Sequence, residues 1–217
     1  MQKELYLTSS NRKERIDFWL KESQILKSRK MFKLDLTQAA LLVLDMQNVF
    51  TNSNSHAFIP SAQSIIEPIQ RIIKKMTSVK RLIVFTRHVT SNQEKDLMKL
   101  WWRDSISADE KESEIIEELE TSQGIKITKN HYSAFIDTNL ENILNRSDIN
   151  QVLITGVMSH LCCETTLREA FMRGFEPFFI VDATATYTEQ LHLGTIRAVS
   201  HGFGVCLSSE EILNERE

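Results

Sequence analysis

Six short strand-like runs, five of them apolar, punctuate the chain, and amphipathic stretches at helical spacing separate most of them. Residues 39–44 are unbroken apolar and end on Asp45. Similar runs, most of them rich in β-branched or aromatic side chains, fall at 81–86, 151–155, 177–181 and 205–207, and residues 125–129 are strand-like and end on a lysine. Apolar runs this short, bounded by polar residues or glycine, read as buried strands. Ile65, Ile66, Ile69, Ile72, Ile73 and Met76 recur at the period of a helix, with Pro60 near its start. Cys163, Leu167, Ala170 and Phe171 repeat that spacing, and a helix over 189–200 carries Leu191, Ile196 and Val199. Residues 139–144 predict a short helix and 111–120 an exposed acidic one. Alternating strands and helices imply an α/β fold, a three-layer α/β/α arrangement around a central, mostly parallel sheet of about six strands.

Residues 1–36 precede the first strand as an N-terminal helical arm, and 37–217 hold the sheet. In the arm, Ile16, Leu20 and Ile25 or Leu26 make an apolar face among Arg12, Lys13, Arg15, Lys21, Lys27, Arg29 and Lys30. That pattern predicts an amphipathic helix packed on the surface with its basic residues solvated. At 217 residues and 41% hydrophobic content the chain suits one large domain with an ample core. A net charge of −3 gives no general attraction for nucleic acid or an anionic membrane. No apolar stretch approaches the ~20 residues that span a bilayer. Three cysteines, two of them adjacent, make no disulfide framework, so a reducing cytoplasm is the expected setting.

Candidate chemistry sits where strands end. Cys162 follows the 151–155 run at a strand-to-helix junction and is expected in the first turn of a helix. Unpaired N–H groups and the positive end of the helix dipole there favour a thiolate, and could receive an oxyanion. Cys163 is in phase with the apolar stripe and reads as core, as does Cys206. Asp45 and Lys129 each close another strand. In a parallel sheet those ends share one edge, so the three side chains can converge. His88 also ends a strand, where it either orients something or is a satisfied structural histidine. Asp182 ends a fifth strand and is expected to cap the next turn. Of the adjacent Trp101 and Trp102, one ring is expected to pack and the other to lie at a subunit contact or at the rim of a pocket shaped by loops 51–60 and 89–109.

Four pieces in order carry a family resemblance: Asp45-x-Gln47-x-x-Phe50, Lys129-x-x-Tyr132-Ser133-Ala134-Phe135, Gly156-Val157-x-Ser159-x-x-Cys162-x-x-Thr165-Thr166, and Val181-Asp182-Ala183. Together they resemble the isochorismatase-like cysteine hydrolase superfamily, over about residues 37–213. The resemblance implies a Rossmann-like hydrolase domain and a catalytic set of Asp45, Lys129 and Cys162. It further implies a cis peptide bond at Val157–Met158 and an oxyanion site at the backbone of Met158 and Cys162. Gln47, Phe50, His88, Trp102, His131, Phe135, Ser159 and His160 are the substrate-pocket candidates. The implied reaction is hydrolysis of a small amide, ureido or carbamoyl compound through a thioester-like intermediate, without cofactor, in a homodimer or homotetramer.

Two departures bear on substrate. Isochorismatases proper carry glycine at the position of Cys162 and arginine at that of His131. A vinyl-ether hydrolase using Asp45 as acid is therefore the alternative, with a non-catalytic binding protein on the same fold as the third possibility. Nicotinamidases of the same frame hold a metal with an Asp-x-His…His cluster after the first strand. Asn52, Ser53, Asn54, Ser55 and His56 offer no such set, so no zinc is expected.

Overall fold

The computed structural model describes residues 2–25, 32–91 and 97–215. Helix α1 (Arg12–Ile25) leads into strand β1 (Ala39–Leu44), a short α2 (Asn48–Thr51) and the long α3 (Ala62–Ser78). Then come β2 (Ile83–His88), α4 (Leu97–Trp102), β3 (Ile125–Lys129), α5 (Leu140–Arg146) and β4 (Gln151–Val157). A π-helical turn (Ser159–Cys163) opens directly into α6 (Glu164–Met172). The chain ends with β5 (Glu176–Ala185), α7 (Glu189–Gly202), β6 (Val205–Leu207) and α8 (Ser209–Asn214).

The six strands form one sheet in the order β3-β2-β1-β4-β5-β6, and every pairing is parallel. β1 and β4 are buried along their whole length, which explains their lack of polar alternation. α3 and α8 pack together over the sheet, and α6 packs on β4, β5 and α7. Chain order reverses between β1 and β4, the place where an open α/β sheet leaves a crevice at its carboxyl edge. Asp45 follows β1 and Cys162 follows β4, so both flank that crevice.

Four local expectations are corrected. Residues 111–120 are not a helix: a single 3-10 turn (Lys111–Ser113) is followed by an isolated antiparallel bridge between Ile115 and Gln47. Ile116 and Leu119 are buried there, and Ile116 N–H donates to Met46 O at 2.9 Å. The segment is pinned by two apolar side chains, which the surrounding glutamates conceal in the sequence. The α6 stripe stops at Ala170, and Phe171 is exposed. β5 runs past Asp182 to Ala185, so Asp182 lies inside a strand. Its carboxylate still caps a helix, but the more distant α8, accepting from Ser209 N–H at 2.7 Å and from the Ser209 hydroxyl at 2.5 Å. Finally, neither tryptophan ring is packed in the core: Trp101 is 78% exposed and Trp102 42%.

The N-terminal segment is woven into the core. Leu7 and Trp19 are fully buried, and Tyr6 nearly so. The N–H groups of Tyr6 and Leu7 both donate to Ser61 Oγ, at 3.1 and 3.2 Å. Ile16 and Leu20 are half-buried on either side of Trp19. Arg12 and Arg15 are paired rather than merely solvated, with Glu67 and Glu189. The side chain of Ile25 and all of Leu26, Lys27, Arg29 and Lys30 lie outside the described residues. Truncating a buried tryptophan costs about 3–5 kcal/mol. Trp19→Ala should therefore lower the urea midpoint sharply with an unchanged m-value, whereas a midpoint at the wild-type value would mean the arm contributes nothing to the cooperative unit.

Candidate active site

Three side chains from three strand ends meet at the floor of the crevice. Lys129 closes β3, the edge strand, and its long stem passes the end of β2 to reach β1. Its ammonium is fully buried, with Asp45 Oδ2 at 2.7 Å, His131 O at 2.9 Å and Cys162 Sγ at 3.3 Å. Three N–H bonds thus meet three partners, the condition for tolerating a buried cation. Asp45 takes the left-handed conformation, φ 49°. Thr86 on β2 braces it twice, the hydroxyl donating to Oδ1 at 2.6 Å and accepting from the Asp45 N–H at 3.2 Å.

Gly156 sits at the end of β4 with φ 101°, where a Cβ would stand 2.0 Å from Leu44 O. Only glycine allows β4 to press this closely on β1 and set the Cys162 turn beside Asp45. The peptide bond between Val157 and Met158 is cis. Cys162 is reached through the π-helical turn rather than in the first turn of a regular helix. Cys163 is fully buried under α6, as its phase predicted.

The electrostatics differ from the thiolate anticipated at a helix start. Burial pushes the Cys162 thiol up to about 12; Lys129 pulls it down, while the Asp45 carboxylate favours the protonated form. Burial also works against ionised Asp45, but Lys129, His88 and Thr86 outweigh it and hold the carboxyl below its usual range. For Lys129 burial opposes the charge, and the neighbouring Asp45 and Cys162 prevail, raising its pKa. The resting cluster is therefore a neutral thiol beside a carboxylate–ammonium pair.

Above it lies a cavity of about 110 Å³. Of the residues expected around it, Phe50, His88, Trp102, Met158 and Cys162 line it. Gln47 does not: its amide is a brace, donating to His88 O and Ser113 O at 2.9 and 2.7 Å and accepting from His88 N–H at 2.8 Å. His131 points outward to Asp137 at 3.2 Å, giving the site only its carbonyl. Phe135 stacks on Phe175, Ser159 bonds His192, and His160 bonds Thr186. None of these five lines the cavity: four are turned towards buried or structural partners, and the His131 ring faces the surface.

Tyr132, Tyr187 and Asp104 line the cavity and were missed. Tyr132 was visible within the Lys129 motif, and its hydroxyl accepts from Trp102 Nε1–H at 2.9 Å. His56 Nε2 and Asp104 Oδ2 lie 2.7 Å apart on the cavity wall, joining two loops with no signal linking them in the sequence. Among the described residues, no group of three or more His, Cys, Asp or Glu side chains is placed to hold a metal ion. No described helix is long and apolar enough to cross a membrane.

An all-parallel sheet with a thiol-floored cavity at its switch point is the plan of an open α/β enzyme. The chain belongs to the isochorismatase family of hydrolases, whose domain model matches residues 39–211. It is 36% identical over 179 residues to nicotinamidase 3 of Arabidopsis thaliana, covering 80% of this chain and 86% of that protein. A cysteine hydrolase from Pseudomonas syringae pv. phaseolicola superposes with a TM-score of 0.81 at 21% identity, covering 86% of this chain and 96% of that one. N-carbamoylsarcosine amidase from Thermoplasma acidophilum superposes with a TM-score of 0.72 at 23% identity, covering 83% and 99%.

Neighbouring charges set the thiol's acidity in opposite senses. Asp45→Asn should speed alkylation of Cys162 by iodoacetamide, and Lys129→Met should slow it, each by about tenfold or more at about pH 8. Rates that move together, or not at all, would contradict the cluster described.

Proposed function

We propose that the protein hydrolyses the C–N bond of a small, neutral amide, ureido or carbamoyl compound with an apolar acyl portion, using Cys162 as nucleophile. The observation that carries this reading is the single ammonium of Lys129 within bonding reach of both the Asp45 carboxylate and the Cys162 sulfur at the cavity floor. Asp45 accepts the thiol proton as sulfur bonds to the trigonal carbon. With the thiol near 12 and Asp45 depressed, a free thiolate is scarce, so proton transfer accompanies attack. Lys129 offsets the negative charge throughout. The backbone N–H groups of Met158 and Cys162 take the oxyanion. Asp45 returns its proton to the departing amine and a thioester-like intermediate remains. Water, deprotonated by Asp45, then attacks that intermediate and releases the acid and the thiol.

Substrate polarity follows from the walls. Phe50, Met98, Trp102, Ile106 and Leu161 supply apolar surface, and no described lining residue is lysine or arginine. The one cation at the floor is fully engaged by its three partners. A substrate with two carboxylates would want a cationic fork, which these walls lack. This disfavours the vinyl-ether alternative, in which the cysteine is idle. Names among the relatives divide: nicotinamidase 3 is an amide hydrolase by name, while a relative from Bacillus subtilis, 32% identical over 164 residues, is an isochorismatase by name, so the walls and the cysteine carry the choice.

Screening small neutral amides and ureido compounds by intact-mass spectrometry should reveal an acyl adduct on Cys162. Cys162→Ala should lower kcat by at least about 10³-fold on the substrate found, as loss of a nucleophile does. Turnover that persists in Cys162→Gly, on a vinyl ether and with Asp45 still required, would replace this reading with acid catalysis.

A further inference from the structure

Ser159 opens the turn that carries Cys162, and its side chain is fully buried away from the cavity. The hydroxyl lies 2.8 Å from His192 Nδ1, and His192 Nε2 lies 3.1 Å from the Val181 carbonyl. A carbonyl oxygen only accepts, so Nε2 carries the hydrogen. Nδ1 is then the bare nitrogen, and the Ser159 hydroxyl must donate to it. His192 is itself fully buried in a cage of Trp19, Tyr6 and Phe179, with ring centroids at 4.5, 5.6 and 5.9 Å. Burial drives the imidazole down to about 3, so it stays neutral and keeps this tautomer over any working pH. An imidazolium would have no acceptor for Ser159.

Two further bonds tie the same turn to the same neighbourhood. His160 Nδ1 meets Thr186 Oγ1 at 2.7 Å, and the Thr195 hydroxyl donates to Glu164 Oε2 at 2.9 Å. The N-terminal segment backs the whole set. Tyr6 OH accepts from Thr186 N–H at 3.0 Å, and Trp19 Nε1–H and Arg15 both donate to Glu189 in the first turn of α7, at 3.1 Å.

We infer that His192 is a positioning residue for the nucleophile turn: through Ser159 it fixes the register of residues 159–163, and the arm residues Tyr6 and Trp19 hold its ring in place. This rests on the reading of Cys162 as nucleophile. His192 touches no reacting atom. Its effect is to keep Cys162 Sγ at 3.3 Å from Lys129 Nζ. A turn released from Ser159 lets the sulfur drift from the ammonium that offsets its burial.

Ser159→Ala removes the donor and leaves the cage intact. His192→Phe keeps the ring and removes both bonds. His192→Gln can accept from Ser159 and donate to Val181. Iodoacetamide alkylation of Cys162 in the full chain, mapped by fragment ions to separate it from Cys163, needs no substrate. Its pH profile should move to higher pH in Ser159→Ala and His192→Phe, and return towards wild type in His192→Gln. On an amide substrate, kcat should fall about tenfold with KM within about twofold, and the double variant should be no worse than the weaker single one. Unchanged profiles and kcat in both single variants, or losses that multiply in the double variant, overturn the inference. Should His192→Phe fail to fold, Ser159→Ala decides. If wild type shows no Cys162-dependent turnover, the nucleophile reading falls, while the alkylation profiles still report whether the tether exists.

Discussion

A lysine ammonium with no exposure to water is the constraint on which this structure turns. Removing such a charge from solvent costs several kcal/mol even after relaxation, and the cost is offset only if each N–H finds a partner. Lys129 finds a carboxylate, a carbonyl and a sulfur, contributed by three stretches far apart in the chain. Each of those stretches has a local feature that sets its place. Asp45 is held at positive φ by the Thr86 hydroxyl. Gly156 lets β4 press against Leu44. His131 turns its carbonyl inward and its ring outward. The parallel order β3-β2-β1-β4 puts all of these at one edge, so the sheet supplies the place and the charge supplies the precision.

That division explains what could be read in advance. Apolar runs marked five of the six strands, since strands buried on both faces need no polar alternation, while the edge strand β3 alternates isoleucine with polar residues. Asp45, Lys129 and Cys162 were legible because each lies at or shortly after the carboxyl end of a strand, and a parallel sheet gathers such positions. Cavity walls were harder. Gln47 and Phe135 belong to motifs around the site, yet face structural partners, because a motif records which residues are near the chemistry and not which way they point. Residues 111–120 misled for a related reason: two buried side chains outweigh a glutamate-rich composition. Asp104 and His56 meet only through tertiary packing, so nothing local announces their pairing.

The acidity of the thiol shows local and global effects in competition. Placement before a helix argues for a thiolate. Burial and a carboxylate neighbour argue against one, and they win, leaving Cys162 near 12. A neutral thiol has a chemical advantage in an apolar cavity. It is poorly reactive towards adventitious electrophiles, and in the proposed mechanism Asp45 takes its proton only as the bond to carbon forms. The mouth, with Trp102 bonded to Tyr132 and His56 paired to Asp104, leaves an apolar interior behind a polar rim. Such a site suits the compact, uncharged acyl group of the substrate proposed above.

The arm then acquires a reason to be ordered. By composition it is a basic amphipathic stretch, and its solvated face would be its ordinary fate. Instead Trp19 and Tyr6 enclose His192, and His192 holds the residue that begins the Cys162 turn. A buried neutral histidine has one bond in each direction, so it transmits position rather than charge. The sulfur needs to stay near the ammonium to offset its burial, and that distance is set from the far side of the turn. Precision at a nucleophile depends on locked supporting residues as much as on the reacting ones. The two clusters, one charged and facing the cavity, the other aromatic and facing the arm, grip opposite sides of the same five-residue turn.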